Sequence, residues 1–266
     1  MPLSVAEESY LSSSLALKPP VRPDGRQNNQ FRSLDAASGI LPLTNGSARI
    51  RLGDGGECIV GVKAEVVTNT TSIPAIEVDV DIMGVPSSSP LVTLLTATVA
   101  SAIKNSIPAQ LLGIQGKYAY KLYIDGVILD HVSHPLTLFS MATYLALLDT
   151  KLPKLTSTKE DEDIGLPQFS SDWEDSTKLC HSWAPPLVQL VVLVGKNVFV
   201  DATSEEADVS DGGIIMVTHE GKVTGLRVTN TKESKRQVFS IYGIRNSVEV
   251  ASKVASELEI ALKGVQ

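Results

Sequence analysis

Few side chains in this 266-residue sequence have the types and spacing that chemistry needs. The densest group lies in residues 21–32, where Arg22, Arg26 and Arg32 surround the acid Asp24 among the turn formers Pro23, Gly25, Asn28 and Asn29. Turn formers in such number make an ordered loop rather than a helix or strand. Guanidinium groups there could meet the phosphates of a nucleic acid. Paired with Asp24, Arg22 and Arg26 would instead fix the loop against the fold, and the pairing favours this second role. The four histidines, His131, His134, His181 and His219, are scattered, and none has HExxH spacing. No phosphate-binding Walker loop and no GxSxG elbow occurs. Cys58 and Cys180 are too few for a disulfide framework and lack the CxxC spacing of a zinc site, so a reducing compartment fits them best. These residues suggest no metal, no cofactor and no catalytic set.

The elements that must position them are those of a folded protein, with 43% hydrophobic and 20% charged residues. A net charge of −7 makes the surface as a whole repel phosphate, so any nucleic-acid contact must be local. The N-terminus carries Glu7 and Glu8 where an export signal needs positive charge. The longest apolar run, 187–194, is interrupted by Gln189 and falls far short of the roughly 20 residues of a membrane helix. An intracellular protein with no membrane partner is expected.

Along the chain, Val5, Tyr10, Leu11, Leu15 and Leu17 predict a short helical arm over residues 1–18, stopped by Pro19 and Pro20. Residues 33–67 read as an antiparallel meander broken by Gly39, by Asn45-Gly46 and by the glycines near 53–56. Residues 77–83 alternate acids with Val78, Val80 and Ile82, as in a strand with one wet face. A helix follows over 90–106, a strand over 118–129 and a strongly apolar helix over 135–148. Residues 154–186, with four consecutive acids at 160–163, read as a connector. Strands are predicted over 187–200 and 213–217, a hairpin turn at His219-Glu220-Gly221-Lys222, and a last helix from about 235 to 262. The chain thus divides into an arm (1–18), a first half (19–153), an acidic connector (154–186) and a second half with its terminal helix (187–266). The class is α+β, with helices covering one side of mostly antiparallel sheets.

Three segments in order, Arg22-Pro23-Asp24-Gly25-Arg26 on the loop, then Asn45-Gly46-Ser47-Ala48 and Val62-Lys63-Ala64-Glu65 on strands, resemble the RNase PH superfamily. The resemblance continues through residues 123–130, Lys151-Leu152-Pro153, and Val200-Asp201-Ala202-Thr203 with Glu205-Glu206, covering about residues 20–260. It implies the RNase PH-like fold, of the ribosomal protein S5 domain 2-like type. The stretch at 201–206 resembles the branch of eukaryotic RNA exosome ring subunits without an active site, with Ala202 replacing the usual Pro.

The resemblance implies a non-catalytic structural subunit of that ring, helping to form a channel for RNA bound for 3′-to-5′ degradation and processing, including rRNA maturation. A phosphate-dependent 3′-to-5′ exoribonuclease is the alternative. Implied partners are other RNase PH-like ring subunits, cap proteins with KH and OB-type RNA-binding domains, an associated exosome nuclease, and RNA in the assembled channel. Implied locations are nucleus, nucleolus and cytoplasm. Catalytic relatives need a phosphate pocket and paired carboxylates. Asp201 stands at the first acidic position, but Ala207 occupies the second. Asp208 and Asp211 lie nearby in a polar loop, where acids are ordinarily solvated. The phosphate pocket is expected within 225–232, where Thr229, Thr231 and Arg227 could hold an anion, although Leu226 and Val228 suggest a strand end. Archaeal relatives lend basic side chains from the helix matching 90–106, which makes Lys104 a candidate for RNA contact beside Arg22 and Arg26, with Ser101 at the second such position. Arg49, Arg51 and Lys63 against Glu77, Asp79 and Asp81 suggest charge-matched boundaries between subunits.

Overall fold

The computed structural model describes residues 3–53, 55–68, 75–114, 118–131, 133–156, 168–170, 172–229 and 240–265. The chain opens with helix α1 (Val5–Ala16), where Ser4 and Glu7 form a reciprocal capping box and Leu11 and Leu15 are buried. After the loop come β1 (Leu34–Ser38), β2 (Gly46–Leu52), β3 (Glu57–Thr68), β4 (Ile76–Ile82) and β5 (Tyr118–Asp130), in sheet order β1-β2-β3-β5-β4. All neighbours are antiparallel except β4 and β5. That pair is parallel because helices α2 (Pro90–Ser106) and α3 (Ala109–Leu112) return the chain to the starting end of the sheet. In β4 the apolar residues are buried and Glu77, Asp79 and Asp81 exposed, as the alternation predicts. Arg49 and Arg51 share Glu57 on the outer face of the sheet, while the β4 acids lie at its opposite edge.

Helix α4 (Leu136–Asp149) departs from the expectation that helices cover one side only. It is buried on every face, packing against β2 and β3 on one side and the second sheet on the other. A helix apolar all round is the form such a position requires. Its few hydroxyls have a specific task. The second sheet, ordered β11-β10-β8-β9, contains β8 (Leu187–Val194), β9 (Asn197–Val200), β10 (Gly212–His219) and β11 (Lys222–Thr229). β9 pairs with only residues 191–194 of β8. Beyond its end, the Val188 and Leu190 amides donate to Ser140 Oγ (2.7 Å) and Thr137 Oγ1 (3.1 Å) of α4. The helix therefore completes the buried edge of the strand.

Two glycines mark where α4 meets the first sheet. A Cβ on Gly126 would fall 2.3 Å from the Phe139 ring, and one on Gly46 would fall 2.6 Å from the Ala146 carbonyl oxygen. Asn45, beside Gly46, bonds the Lys151 carbonyl and the Ala64 amide through its side chain, so the Asn-Gly pair ties β2 to the end of α4. The hairpin at 219–222 forms as expected, with Glu220 and Gly221 at positive φ.

Helix α5 (Ser204–Val209) precedes β10, and α6 (Ile241–Lys263) packs on all four strands of the second sheet. Ser240 caps α6 by accepting from Gly243, so the helix begins six residues later than the pattern predicts. Residues 235–239 of that expectation lie outside the described residues, and Ile241, the first residue of α6, is 87% exposed. Within 154–186, β7 (Ser176–Lys178), laddered to β6 (Lys151–Pro153), and a 3-10 turn at Leu179–His181 pack on the body. Trp183 is buried there, and its Nε1 donates to the Ser106 carbonyl at 3.0 Å. A single hydrophobic core joins both sheets and the helices between them.

Candidate functional site

The loop at 21–32 crosses to the far end of the chain and plugs into the turn between β9 and α5. Arg22 is fully enclosed. Its Nε and Nη2 donate to Glu206 Oε1 (2.8 Å) and Oε2 (2.6 Å), and the remaining donors reach the carbonyls of Gln27, Val200 and Asp201 at 3.1–3.3 Å. All five donors of the guanidinium are thus engaged. The group also lies 5.8 Å from the centre of the Phe199 ring. Glu206 is held in place by its own helix start, where Thr203 and Glu206 form a capping box.

Asp201, at φ 47°, gathers the other two arginines. Its Oδ2 accepts from Arg26 Nη1 (2.8 Å) and from the Arg32 backbone amide and Nε (both 2.9 Å). Its Oδ1 accepts from Arg32 Nη2 (2.5 Å). Burial alone would raise this carboxyl, but the hydrogen bonds and charge of Arg32, with the charge of Arg26, hold it below the ordinary aspartate value. It is therefore an ionised partner of fixed cations rather than a proton carrier.

Arg32 Nη2 continues to Ser133 Oγ (2.6 Å), which brings the cluster to the start of α4. A helix start offers free amides to an anion. Here Pro135 contributes none, and the Leu136 amide donates to Nδ1 of His134 at 3.3 Å. Burial first, and the neighbouring His131 second, push the His134 imidazole down to about 4, so it is neutral and accepts this bond at physiological pH. The cavity left between Arg32, Ser133, His134, Thr137, Asp201 and Ala207 measures about 20 Å³. That is room for about one water and too little for phosphate. Ala207 faces the same cavity as Asp201, where a second acid would have to stand.

The other sequence candidates lie elsewhere. Arg22, with no exposed side-chain surface, and Arg26, 9% exposed, fix the loop to the fold through ion pairs and backbone carbonyls, the role that their pairing in the sequence favours over RNA contact. Asp211 accepts from the Gly195 amide at 2.6 Å in the β8–β9 turn, and neither it nor Asp208 lines the cavity. The segment expected to bind phosphate runs along β11, and Arg227 lines a cleft against α2, at the edge of the sheet opposite to β9 and the Asp201 that follows it. Thr231 lies outside the described residues. Lys104 sits on the opposite flank of α2, in a groove it shares with Glu77 and Asp79. Among the described residues no cluster of His, Cys, Asp and Glu could hold a metal, and no helix is long and apolar enough to cross a membrane.

Ser133 stands out in no sequence pattern, and Arg32, His134 and Glu206 do so only as members of the loop group, of the scattered histidines and of the 201–206 stretch. Thr203-x-x-Glu206 is a legible capping box, and His134-Pro135 before an apolar run is a legible helix start, but nothing in the sequence says that the two meet.

An α+β body of this topology, with one closed carboxylate site at a helix start, is that of the exoribonuclease fold. Residues 30–153 match the family described as "3' exoribonuclease family, domain 1" (RNase PH), and with a full-length relative above 30% identity the chain belongs to this family. Within it, the chain is 35% identical over 269 residues to exosome complex component RRP42 of Saccharomyces cerevisiae, covering 100% of both chains. It is 28% identical to exosome complex component rrp42 of Schizosaccharomyces pombe, covering 97% of this chain and 93% of the relative. In fold it matches a chain of an archaeal exosome core with a TM-score of 0.70 at 21% identity, covering 96% of each.

Proposed function

We propose that this chain is a non-catalytic structural subunit of an RNA exosome ring, contributing wall to the channel through which RNA passes for 3′-to-5′ degradation and rRNA maturation. The observation that carries the non-catalytic part is the state of Asp201. Its carboxylate is consumed by Arg26 and Arg32, its cavity is about 20 Å³, and Ala207 supplies no second acid. Full-length similarity to exosome components supports the assembly. The partners are other RNase PH-like ring subunits, cap proteins carrying KH and OB-type domains, and an associated nuclease. The chain acts in nucleus, nucleolus and cytoplasm.

The test takes the pure chain and the particle purified through a tag on it, each incubated with 5′-labelled RNA, with and without inorganic phosphate and magnesium. The expected result is no nucleoside diphosphate from the chain alone and co-purification of several subunits of the same fold. Phosphate-dependent shortening of RNA by the chain alone would make it an exoribonuclease instead. A monomer that enters no larger particle would remove the ring.

A further inference from the structure

Helix α2 separates two clefts of opposite electrostatic character. On one flank, Lys104 shares its groove with Asp79 and with Glu77, which is itself paired with Lys121 at 2.7 Å, so carboxylates stand beside the cation there. On the other flank, a cleft of about 590 Å³ opens between α2 and the β10–β11 hairpin, and no carboxylate lines it. Arg227 is exposed at its rim and has no ion-pair partner among the described residues. Thr98 lines the same cleft, and its Oγ1, buried just beneath the surface, has no hydrogen-bond partner among the described residues. Asn105 on α2 and Thr224 on β11 add further polar groups, and Ile215 provides apolar floor. His219 also lines it, with Nε2 donating to the Ala184 carbonyl at 2.8 Å.

On a protein of net charge −7, a carboxylate-free cleft with an uncommitted arginine is the place where an anion is least repelled. Its volume falls in the range of small-ligand sites. A buried hydroxyl without a partner costs free energy until a ligand or water supplies one. We infer that this cleft, and not the Lys104 flank, receives one nucleotide unit of RNA, with Arg227 on the phosphate and the Thr98, Asn105 and Thr224 side chains on the sugar or base. Hydroxyl and amide groups over an apolar floor fit a nucleotide better than an acidic peptide, whose repeated carboxylates would find only Arg227. This inference rests on the proposal that the particle passes RNA.

The experiment uses the particle purified through this chain and single-stranded RNA carrying 4-thiouridine, followed by irradiation and peptide mapping. Cross-links are expected within residues 97–106 and 222–229. Arg227→Glu and the milder Arg227→Gln are each expected to cut the cross-link yield at these peptides about fivefold or more, and Lys104→Gln to change it less than twofold. Cross-links to this chain confined to other peptides, or yields unmoved by both Arg227 variants, would overturn the site while leaving the ring proposal standing. Loss of neighbouring subunits with Arg227→Gln, without these cross-links in the parent particle, would make the cleft a seat for a neighbour's acidic segment and also overturn it. A parent particle whose RNA cross-links to no ring subunit would overturn the channel proposal itself.

Discussion

Arg22 and Glu206 stand 184 residues apart in the chain and form a two-pronged ion pair, at 2.8 and 2.6 Å, with 0% and 1% of their side-chain surfaces exposed. The pair joins the loop before the first sheet to the helix that follows β9. Such a pair gains little over an apolar replacement, because both charges lose their hydration, but removing one partner strands the other. Arg22→Ala should therefore lower the unfolding free energy by about 3–5 kcal/mol, read by urea denaturation. The double substitution Arg22→Met with Glu206→Leu should lose clearly less than Arg22→Ala. Equal losses would mean that the stability resides in the carbonyl contacts of Arg22 rather than in the ion pair.

His134 predicts an acid sensitivity that starts well above the carboxylate range. Its folded value is about 4, against the ordinary 6.5, so between these values the unfolded chain binds a proton that the folded chain refuses. Stability must fall as pH drops from about 6.5 toward 4, by on the order of 2 kcal/mol once partial exposure is allowed for. Asp201, lowered in the fold, adds a second loss below the ordinary aspartate value, as acid approaches its folded value. Denaturation at pH 7 and pH 5 should show the first loss, and His134→Asn should flatten that interval. An unchanged slope in His134→Asn would assign the sensitivity to another group.

The sequence makes the elements legible where periodicity is strong: α2 is predicted over 90–106 and found there, and β4 shows its alternation as burial. It also makes Asp201 and Ala207 legible as neighbours in one site, because the Val200-Asp201-Ala202-Thr203 segment resembles a family pattern. The partners of Asp201 are not legible, since Arg26 and Arg32 come from a loop about 170 residues away and their contacts depend on tertiary closure. The resemblance places the catalytic phosphate pocket within 225–232, but residues up to Thr229 belong to strand β11, which sets Arg227 in the cleft against α2 rather than in the cavity of Asp201. The start of α6 is misread because Val238 and Ile241 extend the apolar helical spacing of Ile244, Val248 and Ala251 in sequence, whereas Ser240 supplies the cap.

The hydroxyls of α4 carry a structural prediction of their own. Ser140→Ala leaves the Val188 amide buried without an acceptor, which costs about 1–3 kcal/mol. Ser140→Thr keeps the oxygen but adds a methyl in a fully packed helix, so it should not restore full stability. Hydrogen exchange gives the sharper readout: the Val188 and Leu190 amides should be strongly protected in the parent, and Val188 should lose protection selectively in Ser140→Ala. Uniform loss along β8 would indicate general loosening instead.

Asp201→Asn separates structure from chemistry in the site that most resembles an active centre. Asparagine tolerates the left-handed backbone at φ 47° as well as aspartate does, so the turn is retained and the main change is loss of charge. Arg26 and Arg32 then keep their buried positions without their common counter-ion, and the new amide sets two donors against guanidinium donors. The chain should lose about 3 kcal/mol of stability, in line with a broken buried pair. RNA turnover by the purified particle, corrected for the amount assembled, should stay within twofold of the parent, because the carboxylate serves the two arginines and has no second acid at Ala207 to work with. A large loss of turnover in particles of normal subunit content would give Asp201 the catalytic role denied to it here. Restoring an acid with Ala207→Asp should not create activity either, since the approximately 20 Å³ cavity remains closed by Arg32 and His134.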